Sequence, residues 1–190
     1  MSKRLEGKKE LLHDAAATAR GIESIADAIA EAAVECGPCA IVGIRTRGLT
    51  LARRVHAILE ARGEAPVLGS LDITLYRDDL STMGPQPIVG VSDLPFDLDG
   101  CTVFLVDDVL YTGRTVRAAI DALLAFGRPA AIRLAALVDR GHREYPIHAD
   151  FVPFRIATRK DQVVEVNLSE VDGCDRIELV SPEGGIRHGR

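Results

Sequence analysis

A doubly wound α/β fold, a mainly parallel sheet flanked by helices with a small hood, is what this sequence predicts, and three observations carry it. Apolar runs at residues 40–44, 103–106 and 130–138 have the continuous pattern of strands buried on both faces. Stretches of helical periodicity, 49–62 and 116–126, lie between them, and strands alternating with helices imply a parallel sheet. Each run also ends in a polar turn, which is where open α/β sheets bind ligands.

The elements follow in order. Residues 8–35 read as a helix because Leu11, Ile22, Ile25, Ile29 and Ala33 recur at helical spacing, with Gly21 as a place where it could break. The short strand at 40–44 leads through Arg45-Thr46-Arg47-Gly48 into the helix from Leu49 to about Arg62. Residues 67–75 read as a second strand. The stretch 76–89 holds two Asp, two Pro, Gly and Ser with little periodicity, so it is expected to be a long mobile loop or hairpin. The strand at 103–106 and the helix at 116–126 come next, then the strand at 130–138. From Glu144 the pattern changes to short strand-like pieces, clearest at 163–168 and 176–180. One domain over residues 1–180 is expected, with a core of about 36–140, a hood built from the N-terminal segment and 141–180, and a flexible tail at 181–190.

Bulk properties restrict the function classes. The 190 residues are 47% hydrophobic and 27% charged, a globular balance, and the net charge of −5 offers no global attraction for nucleic acid. No apolar run approaches bilayer length, and the first ten residues lack the apolar region of a signal peptide, so a cytoplasmic protein is expected. Cys36-Gly-Pro-Cys39 has dithiol spacing, but it closes a helical stretch and precedes a strand, the reverse of a thioredoxin-like site. Free thiols are expected there.

The most informative segment is Val103 to Thr115. Asp107 and Asp108 follow the apolar run, then Tyr111-Thr112-Gly113-Arg114-Thr115 opens a helix. Free N–H groups at a helix N-terminus favour a phosphate, the threonines add hydroxyl donors, and Gly113 allows close backbone approach. Carboxylates beside a phosphate cradle cannot serve the phosphate, since like charges repel. They suit sugar hydroxyls or a divalent cation. The layout asks for a ribose 5-phosphate, although an Asp pair alone could equally cap a helix.

Three further clusters bear on the same end of the sheet. The Arg45–Gly48 turn suits pyrophosphate because Arg matches phosphate oxygens bidentately, the bland alternative being a solvated turn. Asp139-Arg140-Gly141-His142-Arg143 lies where a base attached to the ribose would reach, although His142 alone is more often a surface histidine. A loop carrying Arg77, Asp78 and Asp79 could close as a lid and exclude water, or could be an exposed hairpin.

Together, Val42–Gly48, Leu71–Leu80, the 103–115 segment and Leu137–Glu144 resemble the PyrR family, pyrimidine-operon attenuation proteins with uracil phosphoribosyltransferase activity. The resemblance runs over roughly residues 8–180 and is densest from 40 to 152. It implies the type I phosphoribosyltransferase fold and the reaction of uracil with phosphoribosyl pyrophosphate (PRPP) to give UMP and pyrophosphate, with Mg²⁺. Carried over, the nucleotide-binding residues would be Thr46, Arg47, Asp107, Asp108, Val109, Leu110, Tyr111, Thr112, Gly113, Arg114 and Thr115. Asp107 and Asp108 would hold the ribose hydroxyls and contact the metal only indirectly, with Arg77 reaching in from the lid as a third catalytic residue. Asp139 and Arg140 would lie against uracil, with Phe154 as a stacking platform or a core residue, and Asp108 is the first candidate for taking the uracil proton. Further implied partners are UMP and UTP, a pyr leader mRNA and other copies of the chain, as a dimer or higher.

The chain departs from the family pattern at the RNA-facing surface. His148 stands for the usual Arg, Val152–Thr158 replaces a Gly-Lys run, and Glu23 and Asp27 occupy the first helix where neutral or basic side chains are usual. Fewer cations weaken the term that dominates RNA affinity. Two alternatives stay open: an RNA-binding attenuator with vestigial catalysis, and a phosphoribosyltransferase for a purine or another base.

Overall fold

The structure, a computed structural model, describes residues 7–64, 66–74 and 91–182. Its elements are β1 (Gly7–His13), α1 (Ala15–Ala33), β2 (Cys39–Ile44), α2 (Arg47–Ala61), β3 (Val67–Leu71), β4 (Thr102–Leu110), α3 (Arg114–Leu124), β5 (Ala131–Asp139), β6 (Phe154–Arg155), β7 (Val163–Asn167), α4 (Ser169–Asp172) and β8 (Arg176–Pro182). Five strands form a parallel sheet in the order β3-β2-β4-β5-β6, and β1-β8-β7 form a separate antiparallel sheet. The predicted α/β class is what the structure has.

Burial on both faces explains why the central strands read as unbroken apolar runs. On one face Ile41, Phe104, Val106 and Leu137 pack against Ile22, Ile25 and Ile29 of α1 and Leu51, Val55 and Leu59 of α2. On the other, Val42, Val103, Leu105 and Leu134 pack against Val116, Ala119, Ala122 and Leu123 of α3. Phe104 and Val106 face one way and Val103 and Leu105 the other, as the two-residue repeat of a strand requires.

Several boundaries differ from the expectation. The segment from Gly7 to His13 is strand, not helix, and pairs antiparallel with β8, Lys9 opposite Val180. The break falls at Asp14, whose side chain accepts from the Ala17 amide at 2.8 Å and caps α1. Gly21 does not interrupt α1. It is buried where an added Cβ would lie 2.5 Å from the Phe154 ring, so its bareness admits that ring. The second strand stops at Leu71 rather than 75, because the Asp72 carboxylate accepts from the Thr74 amide at 2.8 Å and turns the chain. Ser70 pairs both ways with Asp93, and Asp72 N–H donates to Ser92 Oγ. The expected lid, with Arg77, lies outside the described residues. β8 runs through Ser181 and Pro182, two residues into the segment read as tail.

Val164 and Val166 of β7 and Ile177 of β8 share the core of α1, α2 and the large sheet, and an arginine adds polar ties. Arg54 on α2 donates to both carboxylate oxygens of Glu170, at 2.8 and 2.5 Å, to both of Asp175, at 2.9 and 2.8 Å, and to Ser169 Oγ. Hydrogen bonds from Arg54 hold the Glu170 and Asp175 carboxyls below their usual range. Among the described residues, no helix is long and apolar enough to cross a membrane.

Candidate functional site

Strand β4 does more than the apolar run at 103–106 announces. It continues through Asp107 and Asp108 to Leu110, so the acidic pair lies inside the strand rather than after it. Asp107 is buried, and one of its oxygens accepts the Asp108 amide at 3.0 Å. Asp108 is half-buried. Burial pushes its carboxyl above the usual aspartate value, and the hydrogen bond to Asp107, the Arg47 guanidinium and nearby amides offset only part of that.

The turn after β4 is built for close backbone approach. Gly113 is the N-cap of α3 with φ of 90°, a left-handed conformation suited to glycine, and itself has no side chain to cap the helix. The Thr112 hydroxyl accepts from the Arg114 amide in a long bond of 3.4 Å, and the helix N-terminus favours negative charge. The far side of the turn is braced. Thr112 O accepts from the Glu144 and Tyr145 amides at 2.9 and 3.1 Å, and Tyr111 O accepts from Arg143 at 2.6 Å. Thr112 and Thr115 are half-buried at this turn. The Arg114 side chain instead turns outward to Glu144 at 2.7 Å and to the Tyr145 ring.

The β2–α2 turn lies against the acidic pair. A Cβ on Gly48 would sit 2.5 Å from Val106 O and 3.3 Å from an Asp107 oxygen, and one on Gly43 would meet Leu49 Cα at 2.4 Å. Two bare glycines thus let α2 start directly beside Asp107. Gly48→Ala is expected to lower stability by about 2 kcal/mol through overpacking against backbone, and to raise KM for the ligand. An unchanged denaturation midpoint would contradict this placement. Thr46, exposed, precedes α2, and the Arg45–Thr46 peptide is cis. Arg47 was expected to meet pyrophosphate. Its guanidinium is already paired, Nε and Nη2 donating to the two oxygens of Asp172 at 3.2 and 2.8 Å.

The residues expected to meet a base turn out to have other work. Arg140 is 5% exposed. It donates to Thr158 Oγ1 at 3.3 Å and to the carbonyls of Arg159, at 3.1 Å, and Gln162, and it lies 4.0 Å over the Tyr111 ring. It is a strut between Tyr111 and the 158–162 loop, and these contacts hold the side chain that was expected to lie against a base. Phe154 stacks on His13 with centroids 4.0 Å apart and covers Gly21, which is the packing role rather than the stacking platform. The Asp139 carboxylate accepts from the Gly141 amide at 2.9 Å and pairs with Arg143 at 2.6 Å. Burial alone would raise its carboxyl, but Arg143, the Gly141 amide and Arg155 together hold it below the usual range. His142, left-handed at φ of 61°, is not a free surface side chain: its Nε2 bonds the Thr158 carbonyl at 2.7 Å, which requires a proton on that nitrogen.

Arg143, Asp172 and Gly48 take part in this geometry although the sequence reading gave them no role. Arg143 stands beside a singled-out histidine and could have been noticed. Asp172 carries no local signal, because its partner is 125 residues away. Cys36, Cys39, Cys101 and Cys174 are free thiols.

Chemically, the strand end offers two carboxylates for hydroxyls, a glycine-led helix start for a phosphoryl group, and a guanidinium beside them. Residues 9–170 match the model of the phosphoribosyl transferase domain. The chain is 56% identical over 169 residues to the Bifunctional protein PyrR of Roseiflexus sp. (strain RS-1), covering 88% of this chain and 91% of that one. It is 54% identical to the Bifunctional protein PyrR of Thermus aquaticus, covering 87% and 92%. Among solved structures, the hypoxanthine phosphoribosyltransferase of Trypanosoma cruzi complexed with the product IMP superposes with a TM-score of 0.70 at 17% identity, over 93% of each chain. The enzyme of that name from Staphylococcus aureus gives 0.65 at 18%, over 94% of each chain. At such identities the likeness is one of fold.

Proposed function

Since the chain belongs to the PyrR family of phosphoribosyltransferases, we propose that it joins uracil to the ribose 5-phosphate of PRPP, giving UMP and pyrophosphate. The observation that carries the reading is the direct succession in β4 and α3 of two carboxylates and a glycine-led helix start. Asp107 and Asp108 accept hydrogen bonds from the ribose hydroxyls. The turn from Tyr111 to Thr115 receives the 5-phosphate through backbone amides and the threonine hydroxyls, while Thr46 and Arg47 meet the pyrophosphate. As that group departs, negative charge grows on its oxygens and Arg47 stabilises it where it develops. The carboxylates face the sugar as it gains positive character. A carboxyl held above its usual value, as Asp108 is, is also a better proton acceptor for the uracil nitrogen than an ordinary aspartate.

Mg²⁺ fits this donor set. Among the described residues no group of three or more His, Cys, Asp or Glu gathers to hold an ion. Mg²⁺ is commonly held by carboxylates together with substrate phosphates; here pyrophosphate would hold it, with Asp107 and Asp108 acting on it only indirectly through the ribose hydroxyls. When bound, the ion neutralises charge on the leaving group.

The relatives' printed name, with the word bifunctional, supports a second role in pyrimidine-responsive attenuation through a pyr leader RNA. The charge of the first helix opposes tight RNA binding: Glu23 and Asp27 are exposed, and Asp27 is joined to Arg62 at 2.7 Å. Turnover with uracil, hypoxanthine, guanine and adenine against PRPP and Mg²⁺ tests the main reading. UMP formation is the expected result, at least about a hundredfold more efficient than any purine product, as a site built to hydrogen-bond one base rejects another. A purine turned over faster would replace the reading with that of a purine enzyme.

A further inference from the structure

We propose that Asp172, on the hood, is a positioning residue for pyrophosphate: it grips one edge of the Arg47 guanidinium and so presents the other edge to the leaving group of PRPP. The inference rests on the function proposed above and deepens it. Arginine is a long side chain that loses rotamer freedom whenever it is fixed on a ligand, and a site that fixes it beforehand avoids that loss during binding. Asp172 does so with two hydrogen bonds, Nε to Oδ2 at 3.2 Å and Nη2 to Oδ1 at 2.8 Å. A planar guanidinium carries five donors. Asp172 takes two from the Nε side, so the fork formed by Nη1 and the second Nη2 hydrogen is not taken by it, and that fork matches phosphate oxygens.

The carboxylate is the inner member of the pair. Its side chain is 5% exposed against 32% for Arg47, and the Leu168 amide donates to Oδ2 at 3.0 Å, so the anchor is itself held. Arg47 follows β2 at the start of α2, one residue before Gly48, which lies directly against Asp107, so the pair stands beside the acidic residues of β4. A purely mechanical tie between hood and α2 has no need of this pair, because Arg54 already clamps Glu170, Ser169 and Asp175 of the same segment.

That redundancy makes the idea testable, since the hood stays docked when Asp172 is changed. Calorimetry with inorganic pyrophosphate and Mg²⁺, alongside steady-state kinetics, compares Asp172→Ala with the unaltered protein. Pyrophosphate affinity should fall and KM for PRPP rise by about tenfold, the scale of a misplaced binding group. UMP, which has no pyrophosphate, should bind within twofold of the unaltered protein. Asp172→Asn, keeping one acceptor, should fall between. Glu170→Ala loosens the same segment without touching Arg47 and should leave pyrophosphate affinity unchanged. Equal pyrophosphate binding in Asp172→Ala, or an equal loss in Glu170→Ala or for UMP, overturns the positioning role while leaving the proposed reaction standing. If the unaltered protein binds neither PRPP nor pyrophosphate, the proposed reaction itself is lost and the positioning role with it.

Discussion

Replacing Asp107 and Asp108 together with asparagine should lower kcat/KM for PRPP by roughly a thousandfold or more, the combined scale of lost electrostatic stabilisation and proton transfer, while the protein remains folded. Asparagine keeps an acceptor oxygen for the Asp108 amide but loses the negative charge that faces the sugar. The single variant Asp108→Asn carries a second expectation, of opposite sign. The folded state holds the Asp108 proton more tightly than the unfolded chain does, because burial raises its carboxyl above the ordinary 3.8. Stability is then lost as pH rises from that value through the folded one. Asp108→Asn should therefore raise Tm at pH 7, with the gap closing as pH falls toward the ordinary value. A variant that loses activity by unfolding would fail on this point, and so would one that keeps full activity.

Arg140→Met should cost about 3 kcal/mol of stability, the scale for breaking a buried charged hydrogen-bond set, although Arg140 touches no ligand in the proposed scheme. Methionine fills much of the volume but leaves the Arg159 and Gln162 carbonyls without their donor and removes the cation from the Tyr111 ring. Because Tyr111 opens the phosphate turn, KM for PRPP should rise with the loss of stability. Urea denaturation gives the first quantity and steady-state kinetics the second. A midpoint equal to that of the unaltered protein would show that the strut carries no weight. Arg140→Lys should recover only part of the loss, since an ammonium offers a point charge rather than a plane to lie on the ring.

What could be read from the sequence divides along the range of the interactions. The central strands were legible because Val42, Val103, Leu105 and their neighbours are apolar on both faces, and burial on two sides leaves a local signature. The acidic pair and Gly113 were legible because their chemistry is contained in a few consecutive residues. β1 was not: Gly7 to His13 runs straight into the periodic pattern of α1, and only pairing with β8, far along the chain, settles it as strand. Arg47, Arg140 and Phe154 were singled out, but their partners (Asp172, the 158–162 loop and His13) lie at separations no local pattern reports. Residue type announced chemistry, and only the fold decides what each side chain is free to touch.

The pairing of β1 with β8 also sets a timetable for synthesis. All strands of the large parallel sheet precede β7 in the chain, so that sheet can assemble while the last part is still being made. β1, the first described strand to leave the ribosome, must wait for almost the last. Until then its edge is bare and open to wrong partners, and a nascent chain halted before Arg176 holds the parallel sheet complete but β1 without its partner.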